Sequence, residues 1–346
     1  MIRIDLLPAK DGDSLLVTYG DAERTRRLLI DGGRASSYPL IKPVLAAITE
    51  PLDLLVVTHV DQDHILGVLA MFKDPDRAQF RDVWFNGFDH LVDAELETFG
   101  ARDGELFTTA LLNQSAPWNK AFRGRSVEVG RPFDPFDDEA QLRILAPDRA
   151  LLEQLIPVWE KECADHGLIP GRDPKEPPPG FEGFGAVDIE ALALTPFDRD
   201  TSRTNITSIA FLLEYDGIRT AFTGDGDDAR LVASFRELAD AQGGGRVRVD
   251  ALKVAHHGSD GNISRELLEL IDCPRYLIST NGARHGHPDD VAMARILKFG
   301  GARKEIVFNY RDRAALWDND DWKATYGYTV VAPAAADPDG FMTVTL

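Results

Sequence analysis

Residues 52–58, LDLLVVT, form an apolar run broken only by Asp53, and four ionisable side chains follow at once: His59, Asp61, Asp63 and His64. A strand so uniformly apolar is buried on both faces, which requires a sheet covered by helices rather than one open to water. The segment behind it, HILGVLAMF at 64–72, is apolar at helical spacing and starts after Asp63, a residue suited to cap it. Strand, polar loop and helix follow one another with no linker, so the loop delivers imidazoles and carboxylates to a buried edge. Alone, Asp63 reads as a helix cap. Beside His59, Asp61 and His64 it reads as part of a metal site.

The pattern elsewhere extends this α/β reading over the 346 residues, taken as one domain spanning 1–346. Strands are expected at 2–7, 14–19, 27–33 and 81–87, and a helix over 37–50 with Pro43 in its first turn. From about 88 to 140 the pattern weakens, and after a strand at 141–147 a second irregular region runs from about 148 to 200. The second region contains GRDPKEPPPGFEGFG, whose prolines and glycines forbid regular structure over most of its length. Both read as insertions beside the core. Regularity returns with two strands around the Tyr215-Asp216-Gly217 turn that close on Gly224-Asp225, and with a helix at 227–241 carrying aspartates in its first turn. A strand ending in His256-His257, alternating helices and strands, and the closing strand at 340–346 complete the chain. The cluster Asp318-Asn319-Asp320-Asp321 brings no histidine and reads as a solvated loop.

Charge narrows the function. With 57 acidic against 38 basic residues and a net charge of -19, the surface repels a polyanion over most of its area, which argues against coating duplex nucleic acid. A phosphate-containing substrate is still allowed, because bound divalent cations reverse the sign of a pocket. No apolar segment approaches the roughly 18 residues of a membrane helix and no signal-peptide pattern opens the chain, so a cytoplasmic protein without membrane association is expected. Cys163 and Cys273 lack CxxC spacing and read as ordinary thiols.

Three strand ends deliver metal-binding side chains to loops: His59/Asp61/Asp63/His64, then Asp225, then His256/His257. Such ends converge in one crevice when the strands share a sheet. Asp225 is placed to bridge two cations about 4 Å apart, the arrangement in which two metals activate a water and clamp an in-line displacement. His256 and His257 are adjacent, so in an extended segment they face opposite sides and only one of them is expected to bind directly.

At this point the chain resembles the metallo-β-lactamase superfamily of metal-dependent hydrolases, and within it the ComEC-like branch. The superfamily pattern T-H-x-H-x-D-H appears as Thr58-His59-Val60-Asp61-Gln62-Asp63-His64, with the aspartate at 61 that is characteristic of that branch. Further matching stretches are DGDSLLV at 11–17, LLIDGG at 28–33, TNITSIAFLL at 204–213, FTGD at 222–225, LKVAHHGS at 252–259 and STNGARHGHP at 279–288. The resemblance implies an αββα four-layer sandwich of two mixed β-sheets flanked by helices. It implies a metal site of His59, Asp61, Asp63, His64, Asp225 and a histidine of the 256/257 pair, with Asp31 orienting the ligand loop through hydrogen bonds. The histidine that many superfamily members supply between their second and fourth motifs is absent; Asn205 and Ser208 stand near its place, which leaves one or two metals open.

Replacing an imidazole by Asp61 hardens the site, so zinc and manganese are expected evenly. The resemblance implies attack by a metal-activated water, with Asp63 accepting its proton as well as binding metal, and the GHP match implies that His287 faces the pocket. His285 reads as a surface residue of the same glycine-rich loop, while Lys253, Arg203 and Arg284 are candidate phosphate contacts. Three functions follow: a phosphodiesterase or nuclease acting on a small phosphodiester or single-stranded nucleic acid; an ester, thioester or lactone hydrolase on the same metal centre; and a catalytically idle module that binds a protein partner through the insertions. The lack of an aromatic-rich basic groove favours the small phosphodiester within the first.

Overall fold

In the computed structural model, the apolar run at 52–58 finds a cover on each face. The structure describes residues 1–21, 23–92, 102–134, 139–165, 188–338 and 340–346. The first sheet is built from β1 (Ile2–Leu6), β2 (Leu15–Gly20), β3 (Thr25–Ile30), β4 (Leu54–Val56) and β5 (Val83–Trp84), with β15 (Met342–Thr345) added beside β1. Its pairs from β15 through β3 are antiparallel, and β3, β4 and β5 run parallel. The second sheet contains β6 (Ala140–Ala146), β7 (Ala210–Tyr215), β8 (Ile218–Phe222), β10 (Ala251–Lys253), β12 (Arg275–Ile278), β13 (Lys304–Phe308) and β14 (Tyr328–Val331). Its order is β14-β13-β12-β10-β8-β7-β6, parallel as far as β8 and antiparallel beyond. A two-stranded ribbon pairs β9 (Val247–Arg248) with β11 (Ile271–Asp272).

Alternation within β4 shows why the run is apolar. Leu54 and Val56 point at the second sheet, where they meet a core that includes Trp84, Phe211, Phe222 and Leu277. Leu55 and Val57 point the other way, into a layer formed by α1 (Tyr38–Ala46) and α2 (Gln62–Phe72). Asp53 breaks the run without cost because its carboxylate accepts from Arg27 N at 2.9 Å and Arg26 Nη1 at 2.8 Å. The outer face of the second sheet is covered by α7 (Asp228–Ala241), α8 (Arg265–Leu270), α9 (Asp290–Phe299) and α10 (Arg311–Trp317). The result is the expected αββα four-layer sandwich.

Several details differ from the sequence reading. Pro43 lies inside α1 and Pro39 occupies its first turn, because the helix starts directly behind a 3-10 turn at Ala35–Ser37. The region from 148 is not irregular at its start: α5 (Arg149–Asp165) is a 17-residue helix that buries Trp159. It packs with α3 (Phe88–Val92), and α4 (Arg102–Asn113) packs on α2, so both regions thicken the first helical layer. The proline- and glycine-rich stretch at 171–185 and the side chain of Cys163 lie outside the described residues. The short α6 (Ile189–Ala193) packs on α9. The acidic cluster at 318–321 is exposed as expected, but only its first half is loop: Asn319 accepts from Trp322 N and caps α11 (Asp320–Tyr326), whose dipole favours the aspartates of its first turn. No helix among the described residues is long and apolar enough to cross a membrane.

Backbone contact without side chains joins β3 to α2. Gly67 N donates to Gly33 O at 2.7 Å, and Gly32 N donates to His64 O at 3.0 Å. A Cβ at Gly67 would stand 1.8 Å from the Gly32 carbonyl oxygen, which is backbone and cannot swing aside. Gly67→Ala should therefore lose about 1–3 kcal/mol to overpacking, more than the ~1 kcal/mol that alanine gains in helix propensity. A lower denaturation midpoint at unchanged m-value is the expected reading; a higher midpoint would show that the contact is loose.

Candidate metal centre

The parallel pairs β3/β4 and β8/β10/β12 bring their carboxyl ends to one edge, and the candidate residues sit in the loops that leave it. Asp31 follows β3 in the left-handed region (φ 57) and is fully buried. Its carboxylate accepts from Thr58 N at 2.8 Å, Thr58 Oγ1 at 2.7 Å and His64 Nδ1 at 2.8 Å, so one group ties both ends of the 58–64 loop. The cap of α2 is Asp61, not Asp63, and Asp61 makes no capping hydrogen bond with its side chain. A first-turn dipole still favours both carboxylates, while their oxygens remain available to the crevice.

Asp225 lies three residues past Phe222, the last residue of β8, with its backbone N donating to Ser208 Oγ at 3.2 Å. Ser208 thus holds the backbone of Asp225. His256 and His257 depart from the extended conformation assumed for them. Both have left-handed backbones (φ 46 and 53), and His256 N donates to Gly224 O at 3.0 Å, which turns the two rings to the same side. The expectation that they face opposite ways is corrected by this turn.

Four imidazoles consequently surround one oxygen. From Asp225 Oδ2 the distances are 3.3 Å to His64 Nε2, 3.6 Å to His256 Nε2, 3.7 Å to His257 Nε2 and 3.8 Å to His59 Nε2. Every ring is held from outside at Nδ1: His59 by Thr58 Oγ1 at 3.0 Å, His64 by Asp31, His256 by Asn262 Oδ1 at 2.9 Å, and His257 by Ser279 O at 2.8 Å. A backbone carbonyl or a carboxylate only accepts, so Nδ1 of His257 and of His64 carries the hydrogen. In the neutral ring Nε2 is then a lone pair aimed at a carboxylate, and two acceptors face each other. Either added protons or a cation must stand between them.

Further carboxylates close in. Asp63 Oδ2 lies 3.6 Å from His257 Nε2 and 4.0 Å from His64 Nε2, and Asp61 Oδ2 lies 3.8 Å from His59 Nε2. Asp13, which the sequence reading did not single out although it sits in the DGD stretch, joins them: donor atoms of Asp13, His64, Asp225 and His257 all lie within 4.8 Å of one another. Burial lowers the affinity of His257 for a proton, but Asp13 and Asp225 outweigh it and lift the ring to about 10. Burial and the neighbouring His64 push His59 the other way, down to about 4. Burial and Asp63 raise Asp61 to about 6. The residues present fit a divalent cation. Nε2 of His59, His64 and His257 and Oδ1 of Asp13 and Asp225 are buried with no hydrogen-bond partner among the described residues, and the donor set of imidazole and carboxylate suits zinc or manganese.

The other candidates are placed as follows. Lys253 is almost fully buried in an ion pair with Asp13, so it cannot reach out to a phosphate and instead balances charge behind the site. Asn205 donates to Asp200 Oδ2 at 2.8 Å and stands 3.4 Å from His256 Nδ1. His287 lies at the rim, its ring 5.3 Å from that of His256 and its Nδ1 3.0 Å from Asp289 Oδ1. His285 is exposed 5.7 Å beyond it, with Arg284 in the same loop. Arg203 is exposed and donates to the Gln154 side chain. Asp13 and Asp200 are the residues that sequence reasoning missed; Asp13 was legible in the quoted DGD match, whereas Asp200 carried no signal.

No family model and no curated protein matches the chain. Solved structures similar to it include the metallo-beta-lactamase fold protein YhfI from Bacillus subtilis and the Zn²⁺-bound PqqB from Methylobacterium extorquens, each 12% identical with a TM-score of 0.41 and covering 100% of both chains. CmlA, a diiron beta-hydroxylase from Streptomyces venezuelae, is 15% identical with a TM-score of 0.42. That match covers 100% of this chain and 54% of CmlA, so the chain spans about half the length of CmlA. These likenesses are weak, and the reading of the centre stands on its own side-chain geometry.

Proton and cation compete for the same lone pairs, which sets a pH dependence. The folded-state value of His257 is raised from 6.5 to about 10, so its stabilising contribution is complete below 6.5 and is lost as pH rises toward 10. Chelator-treated protein should lose stability over that window by thermal unfolding, and Zn²⁺ or Mn²⁺ should restore about 2.7 kcal/mol at a hundredfold excess over Kd. Cation binding should release protons, read by calorimetry in buffers of different ionisation enthalpy. Binding without proton release would mean that the imidazoles are not the donors.

Proposed function

We propose that this chain is a metal-dependent hydrolase acting on a phosphodiester, in a small molecule or at a single-stranded nucleic-acid end. The observation that carries the reading is the convergence of four outward-anchored imidazoles on Asp225 Oδ2, with Asp61 and Asp63 beside them. A bound divalent cation supplies a Lewis acid for the substrate's oxygen and brings the pKa of a bound water to about 7.

The protein's own groups do the rest. Asp225 is 2% exposed and serves as the inner anchor, while the side chains of Asp63 and Asp61 are 17% and 38% exposed and form the open side toward substrate. Asp63 accepts a proton at Oδ2 from that side. Asp31 and Thr58 fix the loop that carries it, so the acceptor does not have to be ordered during the reaction. His287, whose Nδ1 donates to Asp289 Oδ1 at 3.0 Å, turns Nε2 to the rim, where its lone pair can accept from a substrate hydroxyl or a water. The oxygen-rich donor set of Asp13, Asp61, Asp63 and Asp225 suits a cation that holds phosphate oxygens. The net charge of -19 supports a small phosphodiester over a long polyanion.

Protein loaded with Mn²⁺ or Zn²⁺ should hydrolyse a generic aryl phosphodiester, and Asp63→Ala should reduce kcat by about 10²–10⁴. Turnover of an aryl ester without turnover of the phosphodiester would transfer the assignment to carboxylic esters, thioesters or lactones.

A further inference from the structure

Beside the centre, one guanidinium is held along half of its hydrogen-bonding fork and keeps the other half free. Arg34 Nε donates to Asp11 Oδ1 at 2.8 Å and Oδ2 at 2.7 Å, and Nη2 stands 2.6 Å from Asp11 Oδ2. A guanidinium carries five N–H donors in a flat fork, and this pairing uses the side formed by Nε and Nη2. Nη1 meets no acceptor among the described residues, and the side chain is 19% exposed. The side formed by Nη1 and Nη2 is therefore left over, with the spacing that takes two oxygens of one phosphate. We infer that Arg34 is a specificity-determining residue that takes a second phosphate of the substrate, so that the molecule cleaved is a phosphodiester carrying a further phosphate group. The inference rests on the phosphodiesterase reading above and narrows its substrate class.

The place of the fork follows from the loop that carries Asp11. Gly12 lies directly against Asp63: a Cβ there would stand 1.7 Å from the Asp63 carbonyl oxygen, and Asp13 N donates to that same oxygen at 3.3 Å. Asp11 is one residue away from this contact, and it brings Arg34 to the same flank. Asp61 and Asp63 form the open side of the centre, and both act on the guanidinium. Burial weakens its hold on the proton, but Asp11, then Asp63 and Asp61, more than restore it. The loop is fixed from behind, since Ser279 Oγ donates to Gly12 O at 3.0 Å and Thr280 Oγ1 to Asp11 O at 3.3 Å. A fork already anchored on a buried carboxylate loses little freedom when a ligand arrives.

Further cations gather on this lip. Lys10 Nζ donates to Ser36 Oγ at 2.8 Å, so residues 10 and 11 pair with 36 and 34 in turn, and Lys10 has no carboxylate partner among the described residues. Lys10 O accepts from Asn281 N at 2.7 Å, which joins the lip to the loop that carries the exposed Arg284. Lys10, Arg34 and Arg284 stand there against Asp11, on a chain whose net charge is -19. A phosphate is drawn to this place by charge as well as by the fork, and a neutral hydroxyl is not.

Metal-loaded full-length protein offered the dinucleotides dTpdT, 5′-phosphorylated pdTpdT and 3′-phosphorylated dTpdTp tests the inference, with the ratio of kcat/KM with and without the added phosphate as the readout. The wild type should prefer a phosphorylated dinucleotide about 10–100-fold, as expected of charge-assisted hydrogen bonds at a partly buried fork. Arg34→Gln should bring the ratio to near one. Arg34→Lys keeps a charge for Asp11, and with it the fold, but has no second side to its fork and should lose most of the ratio. A defect of folding alone would lower turnover of every dinucleotide and leave the ratio as it was. A wild type without preference, or variants that retain it, overturns the inference; should Arg34→Gln fail to fold, Arg34→Lys decides alone. A longer end-phosphorylated strand run in parallel separates the two sources of the phosphate: it is cleaved as well where the substrate is a strand end, and is left intact where the substrate is a small nucleotide. Without turnover of any dinucleotide, binding measured by calorimetry decides. Tighter binding of a phosphorylated dinucleotide by the wild type and not by the variants would keep Arg34 as a phosphate-binding residue and remove the phosphodiesterase reading, whereas equal binding would remove both. Turnover of all three at equal kcat/KM would remove the role of Arg34 and leave the phosphodiesterase reading standing.

Discussion

A buried carboxylate facing several lone pairs cannot be at rest by itself. Asp225 is that carboxylate: the tautomers of His64, His256 and His257 are set by Asp31, Asn262 and the Ser279 carbonyl, so each neutral ring turns an acceptor toward an acceptor. Only positive charge resolves the arrangement. Protons can supply it, which is why His257 is held near 10, and a divalent cation can supply it in their place. Much of the surrounding structure serves to keep these rings from turning away.

That support is largely backbone. The loop from 58 to 64 is pinned through Asp31 at both ends, and the β3 loop meets α2 through Gly32, Gly33 and Gly67 with no side chain between them. Ile209 N donates to Thr58 O at 2.9 Å, which links the 58–64 loop of the first sheet to the segment entering β7 of the second. The crevice is therefore a seam between two sheets whose apolar faces are already committed to each other.

Charge is distributed in the same sense. A chain with a net charge of -19 gathers Asp13, Asp31, Asp61, Asp63 and Asp225 in and around one crevice, where the buried Lys253 is paired to Asp13. Lys253 sits behind the site and does not face its opening. The local surplus of carboxylate draws cations, and a bound divalent cation reverses the sign of such a pocket.

The residues alone determined a good deal. The apolar run at 52–58, broken only by Asp53, demanded cover on both faces, and the density of imidazole and carboxylate behind it had few other chemical uses. Hydrophobic periodicity and ligand spacing are local properties, so they survive in one dimension. Tertiary structure decided what was not local. That His256 and His257 look the same way depends on a left-handed turn held by Gly224, that Lys253 is buried rather than exposed depends on Asp13 arriving from β2's approach, and that Asp200 backs His256 depends on contacts across 56 positions of chain. The helix starting at 149 was hidden because its burial of Trp159 is a property of the layer it joins. Side-chain direction and burial are set by neighbours distant in sequence, and no local pattern encodes them.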